Sequence, residues 1–365
     1  MIYYIMILTT TFLSFTANKM RKIKINYSFM SHIKQKDISN SVKAVICSFI
    51  PFIISGIRFD VGTDYLITYV PIFEKIKVNG NSIRDTGYGL INQIVLCFTD
   101  NYQWVFIITS FIISFLVFKA IFDQSKNPGF SALLYFITIF FFLTMNAIRQ
   151  SIAISTCLYS IKYIKNKKLF KFIIICLIAT SFHSTALIFM PFYWLCQISF
   201  KRNTILLVIL FSMPITSLMN KTVIFLFSKI DFLNKYFGYY FKSSYNVQSI
   251  GTISVLMCLF IITICLYVQY KHIITYDCRI VLYSQVITLI CNILLLYIPL
   301  TQRLGWYFNY IVILYLPNVI QEIKDKKVKI LIIISVISIY SIYMFLTIFV
   351  KGYHEVLPYR TFFYN

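Results

Sequence analysis

The stretch that decides the architecture is Phe172–Phe200, FIIICLIATSFHSTALIFMPFYWLCQISF. Its 29 residues include no Lys, Arg, Asp or Glu. One helix crosses a bilayer with about 20 residues, so this run is long for one crossing and short for two. A basic cluster flanks it on each side, Lys162–Lys171 before and Lys201-Arg202 after. Basic residues gather on the cytoplasmic face of a membrane. Both ends therefore belong on that face, and the run is a hairpin turning near Ser181-Phe182-His183-Ser184. The segment ahead of the turn, Phe172–Phe182, rises only about 16 Å as a helix. It is a re-entrant dip or half-helix that protein must shelter, because unpaired backbone is not tolerated against lipid.

The rest of the chain reads the same way. Of its 365 residues, 59% are hydrophobic and 13% charged, where a soluble domain carries about a quarter charged residues. Runs such as Ile330–Val350 do not alternate as barrel strands do. The expected spans are Ile2–Ala17, Val42–Ile57, Tyr102–Ile121, Gly129–Met145, Ile148–Ile161, Thr204–Asn220, Ser249–Tyr270, Ile280–Pro299, Leu304–Ile320 and Ile330–Val350. With the hairpin they predict an all-α integral membrane protein, a polytopic bundle of about 10–12 membrane segments forming one transmembrane domain over residues 1–365. The first run lacks a basic leader and a small-residue cleavage site, so it reads as a retained helix. With the N-terminus outside, the cytoplasmic segments hold 22 of the 34 Lys and Arg but five of the 12 acidic residues.

The net charge of +22 then belongs to helix ends and anionic headgroups. No nucleic-acid module accompanies it, and no nucleic-acid partner is expected. The nine cysteines form no CxxC pair and sit mostly in apolar runs, as small buried hydrophobes do. No DxD motif, Gly-rich phosphate loop or nucleotide-binding domain is present, so neither metal nor cofactor is expected.

In this topology the polar residues near helix ends collect on the outer face. They are Arg58, Asp60, Asp64 and Tyr65 after the second helix, Arg149 and Gln150 at the junction of the fourth and fifth, His183 at the hairpin turn, Arg303 and Tyr307 near the end, and Arg360 in the tail. Two long outer loops, 58–101 and 221–248, are expected to cover a substrate cavity, and Leu66–Ile76 and Tyr88–Phe98 read as interfacial helices. Ionisable groups at a bundle's edge are costly unless paired or facing a wet cavity. An arginine there can also snorkel to headgroups, a lone histidine is more often packed than catalytic, and Asp60 and Asp64 can simply pair with Arg58. Guanidinium forks suit phosphate oxygens. Arg303 and Tyr307, at i and i+4, are expected on one helix face.

The strings SGIRFDVGTDY, NAIRQSIA, SFHSTALIFMP, QRLGWYF and LPYR resemble, in order and spacing, the pattern of the EpsG family, which groups with Wzy-type polymerases of capsule, exopolysaccharide and O-antigen. The polar insert Asn18–Lys43 is longer than that pattern. The resemblance implies a multi-span glycosyltransferase similar to the GT-C class, in the bacterial cytoplasmic membrane. Its substrate would be an undecaprenyl-pyrophosphate-linked oligosaccharide, and its partners membrane lipids and a chain-length regulator. Arg149 and Arg303, with Arg58 third, are expected on the pyrophosphate. Asp64 is the first choice for the base and His183 the second. Asp60, Tyr65, Gln150, Tyr307 and Arg360 are expected to contact substrate. A lipid-linked oligosaccharide flippase would also hide arginines, but it needs two-sided access, often through two similar halves, and no internal repeat is seen. A membrane O-acyltransferase would use His183, on the face opposite its usual donor. An O-antigen ligase would share the donor and differ only in acceptor.

Overall fold

The computed structural model describes residues 1–19, 32–80, 85–229, 251–271 and 275–364. Residues 20–31 of the insert 18–43 and 230–248 of the expected outer loop 221–248 lie outside these residues. Contacts gather the chain into two compact units, 1–190 with 312–365, and 191–311. The division falls inside the apolar run Phe172–Phe200.

In the first unit α1 is Ile2–Lys19, α2 His32–Gly56, α3 Val70–Asn79, α4 Thr86–Leu96, α5 Gln103–Gln124, α6 Pro128–Ile137, α7 Phe140–Thr144, α8 Ile148–Lys165 and α9 Leu169–Phe182. A π-helical turn, Tyr65–Tyr69, leads into α3, so both helices expected in loop 58–101 are present. The second unit holds α10 Phe192–Gln197, α11 Arg202–Lys229, α12 Thr252–Lys271, α13 Tyr276–Leu294 and α14 Thr301–Asn309. The chain returns to the first unit as α15 Val312–Gln321 and α16 Lys326–Met344. Among the described residues there is no strand beyond a single antiparallel bridge, Arg58 with Thr361.

Among the described residues, five helical stretches are long and apolar enough to cross a membrane alone: Asp37–Gly56, Gln103–Gln124, Thr252–Tyr270, Tyr276–Leu294 and Lys326–Val350. The chain is an all-α polytopic membrane protein. Two runs expected as single spans are broken. Gly129–Met145 divides at Ile139, whose φ of 60° is left-handed, a conformation that a β-branched residue adopts only under constraint. The surrounding Phe140, Phe141 and Phe142 are buried, so the irregular backbone is sheltered as it must be at membrane depth. Leu304–Ile320 divides between α14 and α15. The loop expected from residue 221 begins later, because α11 continues to Lys229.

The hairpin break falls at His183, whose backbone is extended (φ −157°, ψ 117°). Beyond it the chain folds back along α9, bringing the Phe189 ring 5.9 Å from that of Phe172. Helices α2 and α5 pair closely through small residues, the way helices associate in lipid. A Cβ on Gly56 would lie 3.3 Å from the Ile107 backbone, and Ser110 Oγ donates to Ser55 Oγ at 2.9 Å. All cysteines but Cys97 are buried, and all are free.

At one end of the first unit the carboxylate of Asp123 accepts from Lys119 and Lys162, each at 2.8 Å, while Lys119 also reaches Asp37 at 2.5 Å. This ties together α2, α5 and α8. Asp123→Ala leaves the buried Lys119 with one exposed carboxylate and Lys162 with none from this cluster. We expect a loss of about 3 kcal/mol, read as a lower melting temperature in detergent; unchanged melting would remove the clamp from the account of the fold. Arg58, which follows α2, and Arg149, on the first turn of α8, lie at the opposite ends of these helices.

Candidate functional site

The polar end of the first unit is built around residues 145–150, the junction of α7 and α8. The segment after α2 reaches it through Gly62, at φ 103°. A Cβ there would stand 2.9 Å from Asn146 Oδ1 and 3.0 Å from the Met145 carbonyl oxygen, so both the conformation and the approach require glycine. Asn146 is a three-way clamp. Its Oδ1 accepts from Thr63 Oγ1 at 2.8 Å and from the Asp64 amide at 3.3 Å, and its Nδ2 donates to the His354 carbonyl at 3.0 Å. This fixes Asp64 beside the head of α8, with its half-buried carboxylate accepting from Thr68 Oγ1 at 3.4 Å.

The C-terminal tail closes over the same segment. The Phe59 amide donates to the Arg360 carbonyl and the Gly62 amide to the Glu355 carbonyl, both at 3.0 Å. Tyr359 and Tyr3 bind the tail to the bundle through the carbonyls of Ile54 (2.8 Å) and Val356 (2.9 Å). Asp60 and Arg360, far apart in sequence, form a loose ion pair at 3.5 Å.

Arg149 stands on the first turn of α8, with 31% of its side chain exposed, and donates to Asp85 Oδ2 at 2.5 Å. Asp85 occupies the N-cap position of α4, where a carboxylate ordinarily accepts from its own helix's amides. It makes no such bond, and its side chain, 8% exposed, serves Arg149 instead. Tyr69 completes the surroundings, its hydroxyl close to the amides of Ile148 and Arg149. Burial pushes that hydroxyl up to about 12, against the pull of the Arg149 guanidinium. The hairpin tip adjoins the start of α4, since a Cβ on Gly87 would fall 2.6 Å from Ser181 Oγ. His183 is half-buried immediately after it.

The structure thus brings Asp64, Arg149, Asp60 and Arg360 to one end of the first unit, with the His183 turn beside α4. It turns others inward. Arg58 is fully buried. Its Nη1 donates to the Ser55 carbonyl and, at 3.2 Å, to Ser55 Oγ; its Nε reaches the Val61 carbonyl at 3.2 Å and its Nη2 the Met145 carbonyl at 3.1 Å. The expectation that it contacts pyrophosphate does not fit this geometry, because the side chain is fully buried and each of its nitrogens donates to the protein's own carbonyls. Tyr65 is also fully buried, stacked on Phe106 at 4.1 Å and donating to Gln103 Oε1 at 2.6 Å. It shapes the loop and offers no surface to substrate. Gln150 is buried. In the second unit Arg303 is exposed on the first turn of α14, 5.8 Å above the Trp306 ring, whereas Tyr307 is fully buried. Both stand on one helix, four residues apart as expected, but only Arg303 is open to contact.

Asp85, Gln103 and Tyr69 were missed from sequence, and Asn146 stood out there only as a polar neighbour of Arg149. Asp85-Thr86-Gly87 reads as an ordinary loop-to-helix boundary, and nothing local announces a partner at residue 149. Gln103 holds the Gly56 and Arg58 carbonyls at 2.6 and 3.1 Å, contacts that only the fold creates. Among the described residues no group of three or more His, Cys, Asp or Glu could hold a metal ion.

A polytopic α-helical membrane protein with a cationic and acidic site at one end of its bundle is the class that these features define. Within it, the profile of the EpsG family matches residues 42–361, and the chain belongs to that family. Membership supports a polysaccharide-polymerase type of role in general. No curated protein and no solved structure matches the chain significantly.

Proposed function

We propose that this protein polymerises oligosaccharide repeat units carried on undecaprenyl pyrophosphate, moving the growing glycan onto the next lipid-linked unit at the outer leaflet of a bacterial cytoplasmic membrane. The observation that carries the reading is the partly exposed Arg149, aimed by Asp85 and standing beside the loop that holds Asp64, in a chain of this family.

In the reaction, the bond from the donor sugar's anomeric carbon to the phosphate oxygen breaks. The pyrophosphate leaves with the electron pair, and the acceptor hydroxyl oxygen bonds to that carbon. Arg149 has nitrogens beyond the one given to Asp85, and a fixed guanidinium aimed at the leaving group stabilises the charge that develops there. The first turn of α8 adds a favourable dipole. The acceptor's proton goes to a base, for which Asp64 is best placed and His183 is the alternative. The cationic work falls to side chains, without a metal. A chain-length regulator is the expected protein partner, by family analogy alone.

The test is deletion in the native host, followed by electrophoresis of surface glycan and lipid-linked sugars. We expect loss of long polymer and a single lipid-linked repeat unit exposed at the outer leaflet. Accumulation of that unit on the cytoplasmic side would establish a flippase instead. Polymer of unchanged length lacking a substituent would establish an acyltransferase.

A further inference from the structure

We infer that the groove between the Asp60–Ile67 segment and the C-terminal tail is the subsite for the acceptor saccharide, an assignment that rests on the polymerase reading. The groove encloses about 400 Å3, within the range of small-molecule sites. Its polar wall presents Asp60, Glu355 and Arg360, and its apolar patches come from Leu66, Ile67 and Pro358.

The rim is fixed. Backbone bonds from Phe59 to Arg360 and from Gly62 to Glu355 hold the two sides together, yet the Arg360 and Asp60 side chains remain 60% and 39% exposed. Asp60, His354 and Glu355 all have left-handed backbones, at φ 49°, 72° and 48°. Such conformations cost about 1 kcal/mol or more each in L-residues and cluster at functional sites.

The chemistry selects the ligand class. Two carboxylates beside one guanidinium give the groove a negative balance, which repels a pyrophosphate. The same groups offer paired acceptors and a donor fork for neighbouring sugar hydroxyls. Ile67 is 80% exposed and Leu66 44%, flat apolar surface for the C–H face of a ring. A lipid tail would find too many polar groups, and a neutral or amino sugar finds both kinds it needs.

The position agrees. Thr63 lines the groove, Asp64 follows it, and the Asn146 clamp joins that wall to the head of α8. Arg149, on the first turn of α8, follows Asn146 by three residues. An acceptor in the groove therefore lies next to Asp64, with the leaving-group cation beyond.

The test uses full-length protein in detergent and, as probe, the host's repeat-unit oligosaccharide released from its lipid by mild acid. Binding is followed by saturation-transfer NMR. We expect the wild type and Arg149→Ala to bind it, and Arg360→Ala and Asp60→Asn to bind about tenfold more weakly, as loss of a charge-assisted hydrogen bond implies. Both groove substitutions keep the backbone pairing, and a wild-type melting temperature verifies their folding. Absence of wild-type binding, equal binding in Arg360→Ala, or equal loss in Arg149→Ala overturns the assignment. Host polymer separates this failure from failure of the polymerase reading. If deletion abolishes polymer while Arg360→Ala makes it normally, the groove alone is misassigned; if deletion leaves polymer intact, the enzyme reading falls first.

Discussion

Arg149→Ala abolishes long-chain polymer while the protein stays in the membrane at its normal level; that is the outcome the site requires. The side chain is 31% exposed and paired with the buried Asp85, so its removal costs some stability but leaves the helices of the bundle in place. Deleting one preorganised donor aimed at developing negative charge costs about 100- to 1,000-fold in rate, enough to erase long polymer. Arg149→Lys keeps the charge and loses the planar fork, so it recovers only part of the activity. Asp85→Ala frees Arg149 from its orienting carboxylate and slows polymerisation by about tenfold, in the manner of residues that position a ligand-binding group. Because Asp85 acts through Arg149, the double variant is no slower than Arg149→Ala alone. Rates from extracted membranes supplied with lipid-linked repeat units give all four values. Normal long polymer in Arg149→Ala would remove the residue from the chemistry, and additive losses would give Asp85 a separate task.

Much of the architecture was legible because lipid imposes it. Spans announce themselves by length and hydropathy, and the break at His183 followed from a 29-residue apolar run between two basic clusters. Asp64, Arg149 and Arg360 could be placed at one end because polar groups at helix boundaries are few. The kink at Ile139 could not be read, since a left-handed isoleucine carries no Gly or Pro signal and is enforced by packing. The closure of the tail on the Arg58–Gly62 segment joins residues about 300 apart, and no periodicity reports such a contact. Asp85 stands at a helix N-cap, where a carboxylate is ordinary, so its sequence context gives no sign of a partner at residue 149.

Arg58 shows why an arginine at a membrane boundary is ambiguous in sequence. Its flanks read alike whether the guanidinium meets headgroups, substrate or backbone carbonyls. Here burial pushes its pKa down, against the opposing influence of Tyr65 and other neighbouring tyrosines, and carbonyls of Ser55, Val61 and Met145 with the Ser55 hydroxyl take its protons. The Phe106 ring lies 5.0 Å from the guanidinium carbon, adding cation–π attraction. The residue is a pin joining α2, the Gly62 turn and the end of α7. Arg58→Ala strands three buried carbonyls and opens a cavity, losses that together exceed about 3 kcal/mol. We expect little folded protein in the membrane and a clearly lower melting temperature for what remains. Arg58→Lys fares nearly as badly, because one ammonium cannot span carbonyls that a fork reaches from both sides. Arg149→Ala, by contrast, leaves the buried Asp85 carboxylate unpaired, so it melts somewhat below the wild type, still accumulates in the membrane and makes no polymer. Two arginines of one sequence pattern thus separate by readout, stability for the first and turnover for the second. Should Arg58→Ala accumulate and melt normally yet make no polymer, its guanidinium would have to leave this cage in the working enzyme, and the pyrophosphate role would return to it.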